Sequence, residues 1–442
     1  MKSIWIKDVK KPSFEALSGE LQTDVLIIGG GICGILCAYL LKQAGVSCVL
    51  VEEGEICGGI TAKTTAKITV QHGLIYNKII RKYGEEKAKL YYESQKNALE
   101  KYQEIASQID CDFKTCDSFV YSLRDRAMIE KEVEALQKIG CKADFCEEPE
   151  LPFQTFGAVK IKGQAQFHPL KFAYALAKDL PILEHTKVLN LKSNTAITSH
   201  GKIFAKKIVV ATHFPFLNRY GGYFLKLYQH RSYVLALENA PNVQNMYVDE
   251  QTGGLSFRSH RGVLLLGGSS HRTGRQGSGW KALKQFQERY YPNAKEVARW
   301  ATQDCMSLDA IPYIGQYSKL TPDIYVATGF NKWGMTSSMV SAMVLTDLIC
   351  KGDSVYREVY SPERTMLHSQ LALNIFESLK GLATPTVPRC PHMGCALKYN
   401  KQEHSWDCPC HGSRFGEDGK LIDNPAKKNQ KQLGTDSIKK QP

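Results

Sequence analysis

DVLIIGGGICGILCAYLLKQAGVSCVLVE, Asp24 to Glu52, reads as a strand, a glycine turn, a helix and a second strand that ends in an acid. Val25 to Ile28 is a short β-branched run, the signature of a buried strand. Gly29, Gly31 and Gly34 follow in G-x-G-x-x-G spacing. Ile32 to Ala44 has helical length, and Gly45 is placed to stop it. Val46 to Val51 is the second strand, and Glu52 lies 18 positions after Gly34. In this pattern the first glycine permits the tight turn, the second lets backbone approach a pyrophosphate, and the third lets helix pack on strand. Unpaired N–H groups at the helix start attract phosphate, and the acid can accept a hydrogen bond from a ribose hydroxyl. The unit therefore predicts a dinucleotide site. The 17 uncharged residues between Asp24 and Lys42 approach membrane-span length, but three consecutive glycines and the acid-ended second strand argue against a span.

The chain has 442 residues, room for two or three domains, with an ordinary globular balance of 43% hydrophobic and 23% charged residues. Its net charge of +13 favours solubility or an acidic partner, such as a small electron carrier or an anionic membrane surface. No basic-aromatic module for nucleic acid is present. MKSIWIKDVKKPSF lacks the apolar core of a signal peptide, so a cytoplasmic location is expected. Ten of the 14 cysteines are scattered from Cys33 to Cys350 and read as reduced structural thiols. The other four, Cys390, Cys395, Cys408 and Cys410, crowd into 21 residues.

After Glu52, the small and Thr-rich stretch around Gly58-Gly59 suits a loop that wraps a ligand. Lys78 to Ile109 and Asp125 to Ile139 carry helical periodicity. His168-Pro169 reads as a helix start, with His168 a capping residue. Val188 to Leu191, Ala196 to Ser199, Ile203 to Ala205, Lys207 to Ala211, Arg231 to Leu237 and Gly262 to Gly267 read as strands. Gln285 to Arg299 reads as a helix broken at Pro292. Ile324 to Ala327 is a further strand. It runs into Gly329, then Trp333-Gly334-Met335-Thr336 and an apolar helix, so a second helix start is aimed at a ligand.

The fingerprint, the KIVVATH strand end (207–213), DAIPYIG (309–315) and ATGFNKWGMTSS (327–338) occur in that order. Together they resemble the FAD-dependent oxidoreductases of the D-amino-acid dehydrogenase and glycine oxidase type, over roughly residues 20–355. The resemblance implies non-covalent FAD, since no His stands in Thr61–Lys67 to attach it. It implies that Glu52 binds the adenosine ribose, Val188 sits near the adenine, and Gly329 and Trp333 to Thr336 lie beside the isoalloxazine. Amino-acid oxidases of this group usually carry a carboxylate-clamping Arg five positions before the acid matching Asp309. Here that position is Asp304. Arg231, Arg258 and Asp304 are therefore the candidate substrate-side residues, with Arg261 a further cation in reach.

Near the C-terminus, CPHMGC (390–395) and CPCHGSRF (408–415) follow the linker TPTVP (384–388). The set Cys390, His392, Cys408 and His411 offers two thiolates and two imidazoles. Those ligands suit a Rieske [2Fe-2S] centre, and they also suit four-coordinate zinc. The stretch resembles the cytochrome-bc-type Rieske proteins over about residues 387–426. In that family, a second cysteine pair, here Cys395 and Cys410, bridges the two loops as a disulfide. Ser413 matches a hydroxyl donor to the cluster, whereas Phe415 stands where the family has Tyr. The strands that usually precede the first ligand loop are missing, so the base sheet is either absent or supplied elsewhere.

The fold expected is α/β. An FAD-binding Rossmann-like domain (20–90, 155–215, 305–355) carries an inserted α+β substrate domain (91–154, 216–304). A helix and linker (356–386) lead to a small all-β Rieske domain (387–426) and a disordered tail (427–442). The function expected is an FAD-dependent dehydrogenase acting on a small amine or amino-acid-like molecule, with electrons relayed between flavin and cluster. A reductase fed through the cluster and a non-enzymatic redox sensor are the alternatives.

Overall fold

The structure, a computed structural model, describes residues 2–217, 219–385, 388–431 and 433. Three sheets organise it. In the first, parallel strands Thr321–Thr328, Gly201–Val210, Gly19–Ile28, Cys48–Val51 and Ile182–Leu183 lie side by side, with Tyr313–Ser318 antiparallel at one edge. Helices Ile32–Gln43 and Gly334–Lys351 cover it. Ile27 and Ile35 are fully buried in the layer between them. Both faces of the central strand are apolar, as a parallel sheet covered on both sides requires.

The second sheet has nine strands, ordered Lys295–Ser307, Leu227–Glu238, Val263–Arg272, Ser256–His260, Met246–Asp249, Lys114–Tyr121, Ala158–Gln166 and Lys67–Ile68, with Ala143–Cys146 beside Ala158–Gln166. Its membership departs from the expected boundaries. Residues 158–166, expected with the dinucleotide sheet, pair instead with Lys114–Tyr121. A second correction concerns Gln285 to Arg299. A helix does form, at Gly279–Tyr290, but Lys295–Ser307 is a 13-residue strand. Pro292 ends the helix, and pairing along Leu227–Glu238 overrides the helical periodicity of residues 295–299. The predicted Lys78 to Ile109 helix is two helices, Tyr76–Tyr83 and Glu85–Ala106, broken where Gly84 takes φ +87°.

The C-terminal segment forms a four-stranded antiparallel sheet, Lys398–Asn400, Ser405–Asp407, Arg414–Gly416 and Leu421–Asp423. It rests on the second sheet, which supplies the missing base. Gln229 donates to the carbonyls of His411 and Asn424, each at 3.0 Å, and Gln303 to that of Gly412 at 2.9 Å. Arg272 donates to the carbonyls of Pro409 and Cys410, each at 3.1 Å. The expected tail is in part ordered: Gln430 donates its N–H to the carbonyl of Gly419 at 2.8 Å. Residues 432 and 434–442 lie outside the described residues.

A buried ion network locks this seat. Arg231 forms a two-pronged pair with Glu403, and Arg414 reaches Glu403 at 2.9 Å, Asp407 at 2.9 Å and Asp423 at 3.0 Å. Burial alone would raise the carboxyls of Glu403 and Asp423, but the two guanidiniums outweigh it and hold both below the usual range. A depressed folded pKa means that their contribution is fully present above the unfolded values, about pH 4, and is lost as pH falls through the folded ones. Arg231→Ala leaves buried carboxylates short of a cation and should destabilise the protein by about 3–5 kcal/mol. Thermal melting at neutral pH should show it; a loss under about 1 kcal/mol, the worth of an exposed pair, would mean the network is not structural.

Candidate functional site

The glycine turn is shaped as its spacing demands. Gly29 has φ +113°, and a Cβ there would stand 2.6 Å from the Ala211 carbonyl oxygen. At Gly34 a Cβ would meet the Gly29 oxygen at 2.0 Å. At Gly31 a Cβ would find only Thr61 Oγ1, at 3.5 Å, so the protein itself leaves that space open. Glu52 Oε2 accepts from the Gly30 N–H at 2.7 Å, and Oε1 from the Gly54 N–H at 2.9 Å. These bonds fix the carboxylate at the end of its strand, where burial pushes its pKa up.

From this turn a cavity of about 1170 Å³ runs into the second sheet. Gly29, Gly31, Glu52, Val188, Trp333, Gly334 and Met335 line it. Gly34, Gly329 and Thr336 do not; they support its wall. Gly329 has φ +73° between Leu227 and Ser307. Thr336 Oγ1 lies 2.9 Å from His72 Nε2, and the neutral His72 ring stacks on Trp333 with centroids 5.0 Å apart.

Of the substrate-side candidates, only Asp304 lines the cavity, where Ser232 Oγ donates to it at 2.9 Å. Arg231 is committed to Glu403. Arg258 is buried behind the wall and donates to the carbonyls of Thr65 and Ala66 at 2.7 and 2.8 Å. Neither lines the cavity, so neither is placed to clamp a carboxylate there. Seven of the described lysines line the cavity instead, among them Lys67 and Lys332, which sequence reasoning passed over. Among the described residues, Lys67 Nζ hydrogen-bonds the hydroxyls of Thr65 and Ser256, at 3.2 and 3.4 Å. Lys332 Nζ donates to the Thr252 carbonyl and the Ser270 hydroxyl, both at 2.7 Å. Burial brings their pKa values down to about 7 and about 8. A lone Lys in a Thr-rich run or a glycine loop carries no sequence signal; only the fold shows that both point inward.

The same cavity is also lined by Leu421 to Asn429, which belong to the C-terminal segment. In that segment, outside the cavity lining, the loops of Cys390 and Cys408 face each other. The Cys390 N–H donates to the Cys395 carbonyl, and the Cys408 N–H to that of Ser413, both at 2.8 Å. His392 and His411 stand with ring centroids 4.9 Å apart. Nδ1 of both is buried without a hydrogen-bond partner. Cys395 and Cys410 form a disulfide that is itself buried. The sulfurs of Cys395, Cys408 and Cys410 lie within 4.8 Å of one another, but two of these are already bonded to each other, so the trio is no second metal site. Two buried thiols and two orphaned imidazole nitrogens converging on one point fit a [2Fe-2S] cluster. The open space at Gly31, beside a helix start, fits a pyrophosphate.

The comparisons agree with this division. Residues 24–348 match the family described as FAD dependent oxidoreductase, and residues 349–435 match the Rieske [2Fe-2S] domain. YhfW of Bacillus subtilis (strain 168) is 34% identical over 98% of this chain and 97% of its own length. The chloroplastic cytochrome b6-f complex iron-sulfur subunit of Fritillaria agrestis is 40% identical over 12% of this chain and 23% of its own. Glycine oxidase from Geobacillus kaustophilus shares the fold, with a TM-score of 0.66 over 78% of this chain and all of that one, at 18% identity.

Two substitutions test these sites. Gly31→Val should fold, because the protein leaves room for the side chain, yet purify without flavin colour; a variant as yellow as wild type would place the pyrophosphate elsewhere. Ser413 is fully buried; its oxygen accepts from the Ala426 N–H at 3.0 Å, and its side chain hydrogen-bonds the sulfur of Cys390, one of the candidate cluster ligands. A hydrogen bond to a charged group is worth roughly 1.5 kcal/mol or more, on the order of 60 mV for one electron. Redox titration should find Ser413→Ala lower by that order with unchanged iron content; an unmoved midpoint would show that the serine does not touch the cluster.

Proposed function

Since the chain belongs to the FAD-dependent oxidoreductases and ends in a Rieske [2Fe-2S] domain, we propose that it is a dehydrogenase that passes electrons from a small organic substrate to its own cluster. When bound, the flavin takes a two-electron hydride equivalent and the cluster handles single electrons. One observation carries the reading: Gly29, Gly31 and Glu52 line the same cavity as Leu421 to Asn429 of the C-terminal segment, and Asn424 donates at 3.0 Å to the carbonyl of Thr212, beside the Gly29 turn. Gln229 and Gln303 line that cavity and also donate to the carbonyls of His411 and Gly412. The backbone of the second ligand loop is thus tied to the cavity wall by two hydrogen bonds. Cys390, His392, Cys408 and His411 are the proposed cluster ligands.

The substrate proposed is an amine or amino-acid-like molecule that carries an anionic group. Lys67 and Lys332 support this. Each hydrogen-bonds neutral oxygens in a partly or fully buried setting, so an anion beside either would replace lost hydration. They supply the positive charge that Asp304 cannot. The charge of +13 supports an anionic partner on the one-electron side. Ten unpaired thiols outside the C-terminal segment support a reducing, cytoplasmic setting, where burial protects the one disulfide.

The test is an anaerobic screen of amines and amino acids against the oxidised holoenzyme. A substrate should bleach the flavin and then the cluster absorbance without an added carrier. Flavin bleaching that never reaches the cluster would refute the relay. For that substrate, Lys332→Met should raise KM by about 10- to 100-fold, the worth of a charged hydrogen bond. Binding should also weaken as pH rises past about 7 and 8, where the lysines lose their protons. A KM flat from pH 6 to 9 would exclude both as the anion site.

A further inference from the structure

The 15-residue helix Ser369–Ala383 is packed inside out. Its buried positions are Asn374, Glu377 and Gly381, one stripe at helical spacing. Arg272 donates to Asn374 at 2.9 Å, and Arg275 pairs with Glu377. Gly381 lies so close to the disulfide that a Cβ there would stand 2.7 Å from Cys410 Sγ. The opposite face carries Ile375, Phe376, Leu379 and Leu382, with Leu373 exposed on the flank, and it points to solvent; Phe376 and Leu379 are each 61% exposed. Single exposed apolar residues are ordinary, but five large ones on one helix mark a binding surface. The face continues onto the first ligand loop, where Gly394 packs against Leu382 and Met393 is exposed.

We propose that this face docks on an anionic lipid bilayer. The helix offers the lipid side chains that need no hydrogen-bond partner, and its polar stripe, which would resist insertion, is already satisfied by the protein. Of its two charged residues, Glu377 is turned inward and neutralised, and Lys380 is exposed beside the apolar face. The outward surface of the helix therefore has no carboxylate to repel anionic headgroups, and the whole chain carries +13. A second copy on this face would bring two such chains and two Lys380 ammonium groups together. Among the described residues no helix is long and apolar enough to cross a membrane, so the contact is a helix lying in the interface plane. Seated so, the protein presents its cluster loops to the membrane. The bilayer is then an anionic surface that seats the proposed dehydrogenase beside its one-electron partner, and the inference rests on that reading. The test uses no turnover, so either can fail alone.

Full-length holoprotein is sedimented with vesicles of phosphatidylglycerol and phosphatidylcholine in equal parts, and with vesicles of phosphatidylcholine alone. Wild type should pellet with the first, pellet poorly with the second, and be released by salt. Phe376→Glu with Leu379→Glu should lower partitioning by at least about tenfold, while flavin and cluster absorbance match wild type. Leu373→Glu is the probe if the double variant yields no holoprotein. Equal pelleting of wild type and variant would overturn the proposal. So would wild type that stays in the supernatant. In that case, a dimer split by the double variant in light scattering would put a second copy on the face, and a monomer would leave the face to an acidic protein carrier.

Discussion

The pairing of Arg231 with Glu403 is the contact on which the arrangement depends. One partner stands on the longest-paired strand of the second sheet, the other in the turn between the first two strands of the C-terminal sheet. Two guanidiniums hold three carboxylates there, out of water. Such a network contributes less to net stability than to uniqueness of geometry, because desolvation offsets much of its Coulomb energy. Its effect is to fix one small sheet on a larger one in a single register. The carbonyls of His411 and Gly412 then meet Gln229 and Gln303, and residues of both parts line one cavity.

That seat explains how so short a cluster segment can work. Four strands of three residues each bury little surface of their own. The oxidoreductase part lends them a base through Arg272, Gln229 and Gln303, and the Ser369–Ala383 helix closes over the disulfide. Committing Arg231 to this contact also bears on substrate chemistry. With Arg231 paired and Arg258 behind the wall, the cations that line the cavity are lysines, Lys67 and Lys332 among them. Both lie near neutral pKa, and both can therefore be switched by pH or by a bound anion.

Much of this was legible in the chain itself. Asp24 to Glu52 specified strand, turn and helix because each glycine there answers a distinct steric demand. The spacing of CPHMGC and CPCHGSRF pointed to a metal centre because few other tasks need those side chains together. The rest depended on distant pairing. Residues 295–299 have helical periodicity, yet they join a strand because Leu227–Glu238 lies beside them. Arg231 looked like a free cation until Glu403, 172 residues away, arrived to bind it. Lys67 and Lys332 gave no signal, since a lysine's direction is set by the wall behind it. The reversed burial of the Ser369–Ala383 helix was equally hidden: an amphipathic pattern does not say which face turns inward.

If the Arg231–Glu403 contact sets the route between the two cofactor sites, weakening it should slow transfer without slowing substrate oxidation. Rapid anaerobic mixing of substrate with wild type and with Glu403→Gln, followed at flavin and cluster wavelengths, measures both steps. Flavin bleaching is expected at the wild-type rate and cluster reduction slowed severalfold, with iron content intact. Cluster reduction at the wild-type rate in Glu403→Gln would contradict a route set by this contact.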